Sequence, residues 1–486
     1  MKLNISKHPK MLDKNICYQK VVEPVHVHKK LVQESKFVNA VKTIVICGAL
    51  LTLIAATLFL IQPESQTRSD VSYTSTKSYF RANLFAMLQG QQLGKTKLRE
   101  LPPGNPEGNE PEKVVSCYYN TPSADAAGEL LPRDIHPHLC SHINVAFARV
   151  VNKEIYLEDI QYQALRDIVK LKKINPHLKI LISVGGSGNE DGFSKMVIDH
   201  ASRKVFIKSL KYLLRNYTLD GVDLDWEFPA VHLDTFILGG KRERQHFSQL
   251  LYEIRREYIR EKRNYLLTVA VAAPEAIVDI AYDVDQINLY ADYVNIMTYD
   301  FHYFTKYTPF TGLNSPLFAR PREQMYLASL NINYTVHMYF SKGLDKNKIV
   351  VGIPTYGHTF TLVNPGNTRV GSPASGFGSL GSMGFVNYPD ICTFLKTYND
   401  VVIEEDKHAK VPYLYRGWEW VSFESPQSVA AKADYVKAFG LRGAMIYSLN
   451  ADDYSGSCRT RVGQVKFPLL QSIKNSLFGN DTSNYA

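Results

Sequence analysis

Eight short apolar runs separated by longer amphipathic stretches constrain this chain more than any other feature. The runs are Val114–Tyr119, Ile143–Phe147, Ile180–Val184, Val222–Trp226, Leu266–Val271, Val294–Met297, Ile349–Ile353 and Ala444–Tyr447. Between them lie segments of helical period, among them Tyr162–Leu171, Val205–Leu214, Arg244–Tyr258 and Ser428–Phe439. A strand that is apolar on both faces needs cover on both, which intervening helices supply over a parallel sheet. Eight such strands point to a closed barrel rather than an open sheet. The expected class is α/β, an eight-stranded TIM barrel. One connection breaks the rhythm: run seven ends near Ile353, run eight begins near Ala444, and helical period returns only near Gln427. A structureless loop of that length is uncommon in a compact domain, so residues 356–424 are expected to form a small α+β insertion domain. The barrel then spans 113–476, with a short tail at 477–486.

Charge and hydropathy organise the N-terminal part. The net charge of +9 raises nucleic-acid binding, but residues 1–42 hold nine Lys against Asp13, Glu23 and Glu34. The remainder is near neutral, so no basic footprint covers the body and nucleic acid is excluded as a partner. Thr43 to Ile61 is 19 residues without a charge, roughly 28 Å as a helix and enough to cross a bilayer. A cleaved signal peptide normally has a shorter leader and a shorter apolar core. The lysine-rich flank before the span predicts a cytoplasmic N-terminus and an exported body. The expected order is cytoplasmic tail 1–42, one transmembrane signal anchor 43–61 and a Ser/Thr/Pro-rich stalk 62–112. The protein is then a single-pass type II membrane protein with its body extracellular or lumenal; secretion after cleavage is the alternative.

Cys117, Cys140, Cys392 and Cys458 fall in the exported body, where disulfides are favoured over metal ligation, and their spacing leaves three pairings open. Asn216, Asn333 and Asn480 head exported glycosylation sequons. No metal site and no cofactor are expected. Gly376 to Gly381 matches G-x-G-x-x-G, but with no strand before it and no helix after it reads as a flexible loop.

The chemistry concentrates in Leu219-Asp220-Gly221-Val222-Asp223-Leu224-Asp225-Trp226-Glu227-Phe228-Pro229. Strand side chains alternate, so Asp223, Asp225 and Glu227 project to one side while Val222, Leu224 and Trp226 form an apolar back. Three carboxylates this close cannot all ionise at neutral pH; one proton held among them favours a general acid. Glu227 comes last, at the C-terminal rim where barrel enzymes place their chemistry. A calcium site would need a flexible turn rather than a strand.

This segment resembles the Asp-x-x-Asp-x-Asp-x-Glu signature of family 18 glycoside hydrolases, the chitinases and chitinase-like proteins, through Asp220, Asp223, Asp225 and Glu227. Ser183-Val184-Gly185-Gly186, Met297-Thr298-Tyr299-Asp300, Gly352-Ile353-Pro354-Thr355-Tyr356-Gly357 and Gly443-Ala444-Met445 resemble the family's strand three, six, seven and eight segments. The resemblance implies substrate-assisted hydrolysis of β-1,4-linked N-acetylglucosamine, outside the two-carboxylate scheme. Glu227 would protonate the glycosidic oxygen, Asp225 would orient the substrate acetamide and stabilise the oxazolinium-like intermediate, and Asp223 would tune Asp225. Tyr299 would bond the acetamide oxygen. Asp300, Met297, Tyr356, Tyr447, Gly185 and Gly186 would contact substrate, and Asp220 would support the strand. The resemblance also implies the pairs Cys117–Cys140 and Cys392–Cys458. Chitin or N-acetylglucosamine oligosaccharides are the implied partners.

The sugar platform departs from this pattern. Chitinases of the family line the cleft with tryptophans, whereas this chain has Trp226, Trp418 and Trp420 alone. Tyr447 stands at the strand-eight tryptophan and Ser187 follows the paired glycines. Phe304, Tyr307 and Phe310 could replace part of the surface. A catalytically weak or inactive chitin-binding lectin, or an endo-N-acetylglucosaminidase on N-glycans, are the alternatives to a chitinase.

Overall fold

In the computed structural model, residues 112–479 are described apart from 123–128, 190, 233–236, 239–241 and 461–462. The expected tail, anchor, nearly all of the stalk and Asn480 lie outside the described residues. Among the described residues no helix is long and apolar enough to cross a membrane.

The apolar runs form eight parallel strands: β1 (Val114–Asn120), β2 (His142–Val151), β3 (Lys179–Gly185), β4 (Gly221–Asp225), β5 (Leu266–Ala272), β6 (Tyr293–Met297), β7 (Ile349–Pro354) and β8 (Gly443–Tyr447). They pair in chain order, and β1 closes the ring by pairing with both β2 and β8, Ser116 opposite His142 and Val114 opposite Gly443. Helices including Asp159–Ile168, His200–Asn216, Glu243–Arg260, Ile332–Ser341 and Pro426–Ala438 lie between the strands in sequence. Val222 and Leu224 of β4 join the main core with Phe206, Leu210 and Phe247. Trp226 is buried there too, its ring stacked 5.1 Å from Phe193 and edge-on to Phe247 at 5.9 Å. Each such aromatic pair adds about 0.5–1.5 kcal/mol beyond burial.

The inside of the barrel is polar at its centre. Ser116, Asn144, Ser183, Asp223, Thr268 and Asn295, one from each of β1 to β6, are all 0% exposed. Buried polar groups are tolerable only when hydrogen-bonded, and most of these bond to one another.

Between β7 and β8 lies a separate antiparallel sheet in which Tyr356–Leu362, Glu419–Ser422, Val411–Arg416 and Val402–Asp406 are successive neighbours. Phe360, Leu362, Tyr413 and Trp420 pack in one small core, and Val386, Leu414, Val421 and Phe423 in another. The short strand Ala374–Gly376 runs directly into the glycine-rich loop, so a strand does precede it, although no helix begins before Tyr388. The Ser379 and Leu380 amides donate to the Glu419 carboxylate at 2.7 and 3.3 Å. The anion held by this loop is thus internal, a role the bare glycine spacing could not reveal. Cys117 pairs with Cys140 and Cys392 with Cys458, the pairing that the resemblance implied.

Candidate active site

Asp223 is buried at the centre of the polar ring and accepts four hydrogen bonds. Tyr118 Oη and Ser183 Oγ donate to Oδ2 at 2.7 and 2.8 Å. Thr268 Oγ1 and Asn295 Nδ2 donate to Oδ1 at 2.6 and 3.2 Å. Burial raises its pKa, and these donors pull it back. Asp225, 3% exposed, is raised well above the carboxylate range, by burial first and then by the charges of Glu227 and Asp223. Its Oδ1 is buried with no hydrogen-bond partner among the described residues. Asp223 is therefore the better hydrogen-bonded of the two strand carboxylates, while burial and neighbouring charge favour the protonated form of Asp225.

β4 ends at Asp225, where the Gly186 amide donates to the Asp225 carbonyl at 2.8 Å in the last rung of the ladder with β3. Trp226 and Glu227 lie just past the strand. Gly185 has φ +117°, and a Cβ there would meet the Asp225 carbonyl oxygen at 2.0 Å. A Cβ on Gly186 would meet the Phe147 ring at 2.8 Å. Gly185 lets β3 approach β4 beside Asp225, and Gly186 leaves room for the Phe147 ring of β2. Asp220 is remote in role: its carboxylate accepts from the Ile180 amide and Lys172 Nζ, both at 2.8 Å.

Tyrosines surround the carboxylates. Tyr447, at the end of β8, is stacked on Tyr299 at 5.8 Å and also contacts Tyr118, Phe147 and Tyr356. Tyr299 is 8% exposed, and the Glu227 and Asp225 charges both act on it. Met297 ends β6, half-buried where the main core meets the inner one. Asp300 has φ +57°, a left-handed backbone unusual for a residue with a side chain, and its amide donates to Asn314 Oδ1 at 2.9 Å. Its Oδ1 takes the Tyr356 hydroxyl and lies 2.7 Å from His358 Nε2. Trp226 and Trp420 are core residues, and Trp418 is 56% exposed on a turn of the insertion sheet.

Sequence reasoning missed Tyr118, Thr268, Asn295 and His358. For Thr268 and Asn295 a signal existed: a polar group inside an otherwise apolar strand needs an interior partner. Asn450, where the family often carries Asp, instead latches the chain end of β8 to β1 through reciprocal 2.9 Å bonds with the Asn120 backbone.

The profile of glycosyl hydrolases family 18 matches residues 114–452. The chain belongs to glycosyl hydrolase family 18. Human chitinase-3-like protein 2 is 35% identical over 76% of this chain and 94% of its own length. Mouse chitotriosidase-1 is 35% identical over 74% and 77%. A group IV chitinase of Ostrinia furnacalis in complex with allosamidin superposes with a TM-score of 0.70, at 34% identity, over 75% of this chain and 99% of that one. Human YKL-39, described as a pseudo-chitinase with retained chitooligosaccharide binding, gives a TM-score of 0.69 at 33% identity over 75% and 99%. This family 18 chain is accordingly a chitinase or chitinase-like protein.

Within this family 18 site, the ring at the end of β8 offers a direct test of the platform. Tyr447→Trp enlarges the face available to a sugar. It is expected to tighten binding of chitin oligomers several-fold, corresponding to about 0.5–1.5 kcal/mol of added stacking. Calorimetric titration with one short oligomer measures this, and unchanged affinity would place Tyr447 outside the sugar contact.

Proposed function

We propose that the chain hydrolyses β-1,4-linked N-acetylglucosamine chains with retention, using the substrate's own acetamide as nucleophile. The observation that carries this reading is the complete carboxylate trio with Asp223 saturated by four donors. In the free protein, Asp225 and Glu227 hold one proton between them. An acetamide N–H would supply the partner that Asp225 Oδ1 lacks, aiming the carbonyl oxygen at the anomeric carbon. That oxygen bonds to the carbon as the glycosidic bond breaks, and Glu227 gives its proton to the departing oxygen. Tyr299 donates to the acetamide, and the Asp225 carboxylate balances the positive ring that forms. Water then opens the ring while Glu227 takes its proton back. The test is turnover by the purified protein on labelled chitin oligomers, chitin and an N-glycosylated protein. Oligomer cleavage supports the reading; cleavage of the glycoprotein alone would replace it with an endo-acting deglycosylase.

The tyrosine platform favours a second reading, a chitin-binding lectin with little turnover, since the larger indole faces are missing from the cleft. Binding without cleavage in the same assay would select it.

For location we propose the type II arrangement, supported by the uncharged run 43–61 and the lysine-rich flank before it. Protease added to sealed microsomes is expected to remove residues 1–42 and spare the body. In the spared product, glycan mapping is expected to find Asn216 occupied in preference to Asn333. Asn216 is exposed at the end of its helix. Asn333 Oδ1 accepts from Tyr435 Oη at 3.1 Å, and Thr335 of the same sequon is 0% exposed. A protease-resistant tail would sink this topology.

A further inference from the structure

Tyr299 and Asp300 lie past the end of β6, and the successive peptide groups around them are all tied to one dipeptide, Asn314-Ser315. Ser315 Oγ donates to the Thr298 carbonyl at 2.7 Å. The Asp300 amide donates to Asn314 Oδ1 at 2.9 Å, and the Phe301 amide to the Asn314 carbonyl at 3.1 Å. A peptide group is planar, so fixing one of its polar atoms restricts the turn of the whole plane. The planes before and after both Tyr299 and Asp300 are thereby held. Support is needed there, because the left-handed Asp300 backbone persists only where its surroundings impose it. The dipeptide is itself sealed from water, Asn314 at 1% and Ser315 at 0% exposure. Asn314 also reaches the insertion sheet: its Nδ2 donates to the Tyr356 carbonyl at 3.2 Å and its amide to Ser422 Oγ at 2.8 Å.

Ser315 is braced in turn by Lys432 of the helix Pro426–Ala438, whose Nζ donates to Ser315 Oγ at 3.1 Å. An ammonium only donates, so the single hydrogen of the Ser315 hydroxyl is left for the Thr298 carbonyl. Lys432 is paired with Glu424, whose other oxygen takes the Ser428 hydroxyl at 2.6 Å, and both members of the pair are buried. A buried ion pair is often no more stabilising than apolar residues of similar volume, so the fold alone has little need of it. At the other end of this relay, Tyr299 Oη faces Met445 Sδ at 3.9 Å. A thioether is a weak acceptor, and a ligand carbonyl would be the stronger partner. We propose that Asn314 and Ser315, braced by Lys432, are positioning residues that aim the Tyr299 hydroxyl and the Asp300 carboxylate at the sugar. The proposal rests on the reading of Tyr299 and Asp300 as substrate contacts.

The test is a double-mutant cycle on the full-length protein: wild type, Ser315→Ala, Tyr299→Phe and the two changes combined. Each is titrated with tetra-N-acetylchitotetraose, with turnover followed in parallel. Tyr299→Phe removes the hydroxyl and keeps the ring. Ser315→Ala releases the peptide plane before Tyr299, and is expected to weaken binding about tenfold where the hydroxyl is present. In the Tyr299→Phe background it should cost no more than about twofold, because a misaimed ring without its hydroxyl has no bond to lose. A purely structural role would cost the same in both backgrounds. Equal losses therefore overturn the proposal and leave Tyr299 standing as a contact. Tyr299→Phe that binds as tightly as wild type sinks the contact reading and the proposal with it. Should Ser315→Ala fail to fold by near-ultraviolet circular dichroism, Lys432→Met with Glu424→Leu replaces it in the cycle. Exchange of a buried ion pair for apolar residues commonly preserves the fold, the same inequality is expected, and equal losses again overturn the proposal. Wild type that binds without turnover sinks the hydrolase reading and leaves the cycle intact; wild type that does not bind overturns both.

Discussion

Glu227→Gln is expected to abolish turnover while leaving oligosaccharide binding in place. The amide keeps the size of the side chain and much of its hydrogen bonding, but has no proton to give the leaving oxygen. Loss of general-acid help typically lowers rates by about 10²- to 10⁴-fold. Removing this carboxylate also removes the largest charge acting on Asp225, whose raised pKa owes more to Glu227 than to Asp223 after burial. The acid limb of any residual pH profile should therefore move to lower pH, because Asp225 would ionise more readily. Initial rates on one short oligomer across pH, with calorimetric affinities beside them, measure both effects. A wild type that binds without cleaving, with Glu227→Gln indistinguishable from it, would leave only the lectin.

The second large effect concerns a residue with no side chain. Gly185→Ala would place a methyl group 2.0 Å from the Asp225 carbonyl oxygen at a backbone φ of +117°. The two problems add, and the atom in the way is main chain, which cannot rotate aside. A loss of about 3 kcal/mol or more is expected, together with displacement of Asp225. Gly188→Ala is the control: φ is +80° with nothing within 4 Å, so the backbone contribution of about 1–2 kcal/mol stands alone. Urea denaturation of both variants gives the difference. Equal midpoints would show that β3 has room to yield.

Much of this architecture was readable in the chain because barrel strands buried on both faces must be apolar, and helices must recur between them. The same logic found the carboxylates, since alternation puts Asp223 and Asp225 on one side of β4. Glu227 lies just past the end of β4, yet its charge acts on Asp225, so it joins the other two. The logic failed for partners contributed across the ring. Tyr118 is 105 residues from Asp223, and nothing local in Val114–Tyr119 distinguishes an inward tyrosine from a core one. His358 was hidden for a related reason: its partner is set by how the insertion sheet sits beside the end of β6, which no local pattern encodes.

The ring closes through β1, the first strand made, which must wait for β8, the last. At translation rates of about 5–20 residues per second, that wait is on the order of twenty seconds to a minute. Throughout it, one edge of β1 lies open, and Tyr118, which steadies Asp223, sits on a strand with half its partners missing. A chain released before Tyr447 would carry every acidic residue of the site yet lack the frame that holds them. The frame around the carboxylates is therefore complete only once the last strand of the barrel has been made.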